Sequence, residues 1–354
     1  MSSNECMERT VVVDYKNKIV HIIILDKFIP PFMDFIHEHF DANEHFFVIF
    51  GKERYKFGLT KEHDVVWIDT PIKLLKLSIG LNSSKKIIIH GLWSQIFNII
   101  LFVQPWLLKK SYWVMWGGDF YFPEKHGWLQ KWVIKNMGFL ITANEGDYIL
   151  SKELYNSKGK RVHSIMYPSN LYKNSNILIN KKRNSTDSIN IQLGNSADPE
   201  NNHLEIIEKL KLYKSENIKI YVPLSYGNKL YANKVITEGK RVFGKNFIPM
   251  LEFLPLDEYQ VFLNNIDIAI FAHNRQQAMG NIVTLLGLGK KVYLKTNVTT
   301  WSLFFNQGIK VFDINTFDLS KDMKQLSENR KQIVQYYSKE VLISEISNII
   351  KGKE

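Results

Sequence analysis

Residues 189–212 read INIQLGNSADPENNHLEIIEKLKL. Ile189–Leu193 reads as a strand. Gly194–Asp198 is a polar turn, and Pro199–Leu212 carries apolar residues at helical spacing. A strand feeding a helix through a short polar turn is the repeating unit of a parallel α/β sheet. The unit recurs downstream. Ile218–Val222, Phe247–Leu251, Asp267–Phe271 and Lys291–Leu294 read as strands, and Asn228–Glu238, Asp257–Asn264 and Asn281–Leu288 as helices. Upstream, Lys18–Leu25, His45–Phe50, Asp64–Ile68, Lys85–His90, Tyr112–Trp116 and Phe139–Thr142 read as strands. Pro31–Phe40 and segments 71–80, 93–103 and 127–137 read as helices. Strands that are apolar along their whole length are buried on both faces, as in doubly wound sheets.

The stretch Lys173–Asp187 is polar, charged and Asn/Ser-rich, which predicts a linker. Two doubly wound, Rossmann-like α/β domains facing a cleft are therefore expected, with bounds 1–180 and 186–330. Segment 331–354 is expected to be a helical tail that packs back on the first domain. Ligands of such sheets bind beyond the carboxyl ends of the strands. The architecture serves glycosyltransferases, sugar epimerases, binding proteins and phosphorylases alike.

The 354 residues suit two domains at roughly 150 residues each. With 45% hydrophobic and 23% charged residues, wholesale disorder is excluded. The single cysteine, Cys6, excludes an internal disulfide and a Cys-rich zinc site, and a reducing compartment is expected. The net charge of +11 suits nucleic acid, anionic lipid or phosphorylated ligands without choosing among them. Met1–Thr10 is polar and Ile19–Leu25 is short, so no secretory signal is expected. The most apolar later run, Ile96–Leu108, is interrupted by Asn98, Gln104 and Pro105 and is too short to span a bilayer.

Four motifs fall at expected strand ends. In Gly194-Asn195-Ser196-Ala197-Asp198-Pro199, glycine permits a tight turn, Asp198 or Ser196 can cap, and Pro199 suits a first helical turn. Free N–H groups at such a terminus attract a diphosphate; the residues equally suit an ordinary capped turn. In His273–Asn281 (HNRQQAMGN), Arg275 is a bidentate phosphate ligand candidate, and Gly280 and Asn281 open an apolar helix. In Trp113–Tyr121 (WVMWGGDFY), Asp119 is a candidate base among aromatic rings, or else a turn cap. His90-Gly91 ends a strand, where His90 either lines the cleft or is a satisfied core histidine. No Walker A loop, G-x-G-x-x-G, H-E-x-x-H or Asp-x-Asp is present, and no metal or cofactor is expected.

HGLW at 90–93, WVMWGGDFY at 113–121, LGNSADPENNH at 193–203, YVPLSYG at 221–227 and RQQAMGN at 275–281 together carry a family resemblance. The chain resembles glycosyltransferase family 56, the Fuc4NAc (4-acetamido-4,6-dideoxy-galactose) transferases of enterobacterial common antigen synthesis, over about residues 85–312. Ala197, Gly118, Phe120 and the Asn201–Asn202 pair depart from its pattern. The resemblance implies a GT-B fold, a dTDP-activated deoxy-amino sugar as donor and a polyprenyl-diphosphate-linked saccharide as acceptor. It also implies work at the cytoplasmic face of the bacterial inner membrane. Motif matching carries over His90, Gly91, Trp116, Gly117, Asp119, Tyr121, Gly194, Asn195, Ser196, Asp198, Asn202, His203, Pro223, Tyr226, Arg275, Gln276, Gln277 and Gly280.

The expected enzyme is a peripheral glycosyltransferase working without metal, in common antigen or O-antigen synthesis. Asp119 and His90 are the catalytic candidates. Gly194, Asn195, Ser196, Pro223, Tyr226, Glu252, Arg275, Gln276, Gln277, Gly280 and Asn281 are the donor-binding candidates, Glu252 toward the ribose. Trp93, Trp116 and Tyr121 are the acceptor-binding candidates. The aromatic-basic segment Phe102–Tyr112 (FVQPWLLKKSY) suits an anionic membrane surface. The alternative is a sugar-nucleotide epimerase or hydrolase of the same fold. Nucleic acid is not an expected partner, since the basic residues form no cluster.

Overall fold

The computed structural model describes residues 14–51, 57–173, 188–320 and 323–353. Cys6 and most of the expected linker, 174–187, lie outside the described residues. In chain order the first elements are β1 (Ile19–Ile23), α1 (Ile29–His39), β2 (His45–Phe50), β3 (Val65–Ile68), α2 (Pro71–Gly80), β4 (Lys86–His90) and α3 (Gln95–Val103). Then come β5 (Ser111–Val114), α4 (Trp128–Asn136), β6 (Phe139–Ile141), α5 (Glu145–Tyr155) and β7 (Lys160–Val162). The second series is β8 (Ile189–Leu193), α6 (His203–Leu210), β9 (Ile218–Pro223), α7 (Lys229–Phe243), β10 (Phe247–Met250), α8 (Leu256–Asn264) and β11 (Ile268–Phe271). It ends with α9 (Met279–Gly287), β12 (Lys291–Leu294), α10 (Thr299–Asn306), β13 (Phe312–Asp313), α11 (Met323–Tyr336) and α12 (Lys339–Lys351).

Seven strands form a sheet of order β3-β2-β1-β4-β5-β6-β7, and six form a second of order β10-β9-β8-β11-β12-β13. The pairings of β1 to β5 are parallel, as are all those of the second sheet. Both have the Rossmann order, in which the chain leaves the first strand toward one edge and returns to its other side. The switch points lie between β1 and β4 and between β8 and β11. β1, β4, β5, β11 and β12 are buried at every position, which is why they read as mostly apolar runs. Lys86 and Lys291, at strand starts, are tolerated because each ammonium meets a partner: the Tyr112 hydroxyl at 2.7 Å and Asp318 Oδ1 at 2.7 Å.

The chain divides into two compact units. One holds the described residues of Met1–Val114, Gly127–Leu140 and Lys158–Lys160; the other holds those of Met115–His126, Ile141–Ser157 and Arg161–Glu354. In the first, α1 buries Phe32, Met33, Phe35 and Ile36. In the second, Ile191, Leu193, Ile220, Val222, Ile268 and Ile270 from the central strands meet Ile206, Ile207 and Val235 from α6 and α7. The tail belongs to this second unit, where Glu345 of α12 accepts from Ile165 N at 2.9 Å.

Several elements differ from the sequence expectation. The helix expected over Pro199–Leu212 is broken: Pro199–Asn201 is a single 3-10 turn, Asn202 takes φ +51°, and α6 starts at His203. Asn202 holds that bend by donating to the Ala272 carbonyl at 2.7 Å. α7 runs five residues past Glu238 because Gly239 does not end it; a side chain there would collide with the Phe247 ring. α5, β7, α10 and β13 are additional. α5 is largely polar, α10 opens on two threonines, and β7 and β13 have only three and two residues.

Candidate functional site

The polar side chains of the second unit gather beyond the carboxyl ends of β8 and β11, at the switch point. Gly194 continues the sheet by donating to the Ile270 carbonyl at 2.9 Å, then turns with φ +66°. A Cβ there would lie 2.7 Å from Asn201 Oδ1, so only glycine leaves room for the Asn201 side chain. Asn201 Oδ1 accepts from Asn195 N at 3.0 Å and from His273 Nε2 at 2.9 Å. Asn195 Oδ1 accepts from His273 Nε2 at 3.1 Å and Gln277 Nε2 at 3.4 Å, and Asn195 Nδ2 donates to the Tyr226 hydroxyl at 3.1 Å. His273 Nε2 faces two carbonyl oxygens and is therefore the protonated nitrogen of a neutral ring. Burial, with Arg275, His203 and Lys295 nearby, pushes its pKa down to about 3.

Asp198, rather than Ser196, caps the turn, accepting from Glu200 N at 3.0 Å. Its other oxygen accepts from Arg275 Nη2 at 3.2 Å, and Arg275 Nη1 donates to the Gln276 carbonyl at 3.3 Å. The guanidinium is thus held in one orientation, with only 16% of the side chain exposed. Gln277 Oε1 is buried without a partner, an acceptor at this site that the protein itself leaves unmet.

The Trp116–Tyr121 turn packs against the same loop. Gly117 has φ +73°, and a Cβ there would lie 2.8 Å from the Gln276 carbonyl. Asp119 Oδ1 accepts from Trp116 N at 3.1 Å, and Phe120 N and Tyr121 N donate to the Gly117 carbonyl. The Tyr121 hydroxyl donates to Asp147 Oδ1 at 2.6 Å, beside Thr299 Oγ1 at 2.5 Å; Thr299 also donates to Asp147 and accepts from Asn144. Burial, with the Asp119 charge nearby, pushes Asp147 up to about 6, and burial beside Asp147 raises the Tyr121 pKa. Sequence reasoning alone misses Asp147, because residues 143–158 carry no candidate motif. The only local signal is Asn144-Glu145-Gly146-Asp147, a helix start capped by Asn144 onto Gly146 N.

Gly194, Asn195, Ser196, Arg275, Gln276 and Gln277 thus come together, Tyr226 joins them through Asn195, and Trp116 and Tyr121 lie on the adjoining turn. Pro223 is buried at the end of β9, and Glu252 is exposed just beyond β10. Gly280 lets α9 approach the Ser169 carbonyl, and Asn281 stands against the Tyr259 hydroxyl. The two catalytic candidates are both fully buried. Asp119 accepts from Trp116 N inside its own turn. His90 belongs to the first unit and is also fully buried; its Nε2 meets His21 Nδ1 at 3.0 Å, and His21 Nε2 meets His45 Nδ1 at 2.9 Å. Burial pushes His90 down to about 3 and His45 to about 4, with His21 also well below its usual value. Trp93 lies in the first unit, 42% exposed. One feature without a sequence signal is the Tyr226–Phe253 ring pair, with centroids 6.3 Å apart and Phe253 largely exposed. Among the described residues no group of three or more His, Cys, Asp or Glu side chains is arranged to hold a metal ion.

The model of the family described as 4-alpha-L-fucosyltransferase, glycosyl transferase group 56, matches residues 43–348. Among solved structures, a glycosyltransferase from Rickettsia africae superposes with a TM-score of 0.66 at 12% identity, over 95% of this chain and 98% of that one. Anabaena Alr3699/HepE in complex with UDP and glucose gives 0.71 at 13% identity, over 95% and 100%. A putative UDP-N-acetylglucosamine 2-epimerase from Listeria monocytogenes gives 0.56 at 15% identity, over 96% and 96%. At such identities the likeness is one of fold, and that fold is GT-B.

Proposed function

Because the chain belongs to glycosyltransferase group 56 and is a GT-B glycosyltransferase, we propose that it moves a deoxy-amino sugar, Fuc4NAc or a close relative, from a dTDP-sugar to a polyprenyl-diphosphate-linked saccharide. The setting is bacterial surface-polysaccharide synthesis at the cytoplasmic face of the inner membrane. The observation that carries the donor half is Arg275, fixed by Asp198 beside the partnerless Gln277 Oε1 at the β8/β11 switch point. A nucleotide diphosphate laid across these strand ends places its phosphates at 194–198 and 275–277. Its base then falls over β9 and β10, where Tyr226 and Phe253 offer ring faces, with Glu252 toward the ribose.

The chemistry assigned to this chain is electrostatic. Departure of the nucleotide diphosphate leaves negative charge, which a preorganised guanidinium stabilises more in the transition state than in the ground state. Asp198 orients Arg275, and the Gly117 turn supports Gln276 from below. Asp119 acts as a positioning residue that keeps that turn closed.

Thermal-shift and calorimetric titrations with dTDP, UDP and GDP, with and without EDTA, test this reading. Stabilisation by dTDP that EDTA leaves intact and Arg275→Ala abolishes is expected; at 100 times the dissociation constant it amounts to about 2.7 kcal/mol. Binding of no nucleotide overturns the donor site, and selective binding of UDP overturns the dTDP assignment. Asp119→Asn keeps a cap acceptor and removes a base. Retained turnover is expected, and a loss above about 100-fold in a folded variant restores Asp119 as general base.

A further inference from the structure

From one face of the first unit we infer a docking surface for an anionic lipid bilayer, built by α2, α3, the turn Pro105–Lys110 and the start of α4. An amphipathic helix of a soluble domain turns its apolar stripe inward. α2 does not: among its residues only Leu77 is buried, while Leu75 and Ile79 are 61% and 65% exposed. α3 is apolar on two opposite sides, with Gln95 and Asn98 its only polar residues. Phe97, Ile100 and Leu101 face the core, and Ile99 and Val103, four residues apart, stand 51% and 64% exposed on the opposite side. Trp106 and Trp128 are 55% and 69% exposed.

These residues form one surface. Trp106 Nε1 donates to Asn82 Oδ1 at 2.7 Å and Asn82 Nδ2 to Gln104 Oε1 at 2.8 Å, tying the end of α2 to the end of α3. The Phe102 ring meets Trp128 edge-on at 5.3 Å and Trp132 at 4.9 Å, tying α3 to α4. A contiguous apolar face of this kind on a folded chain marks an interaction site.

Charge selects the occupant. No acidic residue lies between Asp69 and Asp119. Lys86 is buried, and Lys73 and Lys85 pair with Asp69 and Glu44, but Lys76 and Lys109 are exposed and Lys110 is half-buried; α4 adds the exposed Lys131 and the half-buried Lys135 and no acid. Aliphatic side chains for the acyl boundary, indoles for the headgroup level and lysines for anionic headgroups are the components of an in-plane membrane contact. Among the described residues no helix is long and apolar enough to cross a membrane, so the contact is peripheral. The inference deepens the proposal of a lipid-linked acceptor but is tested without it.

The test is co-sedimentation of the full chain with phosphatidylglycerol/phosphatidylethanolamine vesicles and with phosphatidylcholine vesicles, at low and high salt. Binding to the anionic vesicles, weakened by salt, is expected. Ile99→Glu, Val103→Glu and, on a separate helix, Leu75→Glu should each lower it at least ~10-fold, since a buried apolar contact is replaced by a charge of the repelled sign. Their dTDP-dependent thermal shift should stay unchanged, which also reports folding. Absence of vesicle binding, binding indifferent to all three substitutions, or a dimer in sedimentation velocity that the same substitutions dissolve overturns the bilayer assignment. Nucleotide binding without vesicle binding sinks only this surface; vesicle binding without nucleotide binding sinks only the donor site.

Discussion

The two sheets share a strand order and differ in what they place at the switch point. Each ends a strand there near a buried histidine, His90 on β4 and His273 just after β11. His90 continues into a chain of imidazoles, with His21 and His45, packed among Phe32 and Phe47. His273 instead braces Asn195 and Asn201, which hold open a loop rich in Asn, Gln, Asp and Arg. The same topology is thus a hydrophobic interior in one unit and a polar cradle in the other. The first unit spends its unusual chemistry on the outer faces of α2 to α4. A switch point becomes a ligand site through its loops, not through the fold.

The most direct way to break this comparison is Arg275. Arg275→Ala should lower kcat/KM by roughly 100- to 1,000-fold, the usual effect of removing one preorganised donor from a developing anion. Arg275→Lys should recover little, because a point charge cannot be forked against Asp198 and a phosphate together. Steady-state kinetics with a dTDP-sugar measures both. Equal activity of wild type and Arg275→Ala would leave the polar cradle without a catalytic role.

Acid should reveal the imidazoles. His21, His45, His90, His203 and His273 all lie below the ordinary value near 6.5, those with resolved values at about 3 to 4. His45, His90, His203 and His273 are neutral in the folded chain at pH 5, and His21 is shifted in the same direction, whereas the unfolded chain gains protons there. Stability is therefore fully present above pH 6.5 and lost as pH falls toward 4, each group contributing up to about 1.4 kcal/mol per pH unit. Asp147, raised to about 6, acts in the opposite sense, since the folded chain holds its proton more readily than the unfolded one. Five groups against one predict a steep fall, read by urea melts between pH 7 and 5. A flat profile would mean that the buried rings take up protons in place.

Much of the fold was legible because a strand buried on both faces writes a short, mostly apolar or alternating run; β2, β8 and β12 coincide with the expected spans. Short or polar elements left no such mark, as β7 and α5 show. Asn202 reads as helix from spacing alone, and its left-handed bend is imposed from outside, by the Ala272 carbonyl. The polar loops at 194–198 and 275–277 were legible as candidates because their residue types suit a phosphate. The histidine chain was not, since it depends on sheet register: Ile19 pairs with His45 and Ile23 with His90, bringing residues far apart in sequence onto one sheet face. Asp147 meets Tyr121 and Thr299 through helix and turn packing, likewise across long sequence separations.

Gly117→Ala sharpens the comparison at smaller scale. The added Cβ faces the Gln276 carbonyl at 2.8 Å, at a φ of +73° that L-residues rarely adopt. A loss of about 1–3 kcal/mol in stability is expected, together with weaker dTDP binding, because the turn and the Arg275 loop must separate. Loss of stability with unchanged dTDP affinity would mean that the turn supports the fold and not the site.

The smallest expected effect is at Tyr226, which joins the cradle to the exposed ring of Phe253. Tyr226→Phe keeps the ring face and removes the acceptor for Asn195 Nδ2. Because Tyr226 is 40% exposed, water can replace much of that hydrogen bond, so the stability change should stay near 0.5–1 kcal/mol. Tyr226→Ala removes the ring as well. If a nucleobase stacks there, Ala should weaken dTDP binding by about 10-fold beyond Phe, the ~1–3 kcal/mol that base–aromatic stacking contributes. Equal affinities for the Phe and Ala variants by calorimetry would move the base away from β9 and β10. Arg275 would then remain as a phosphate site whose nucleotide runs toward the β12 side of the switch point.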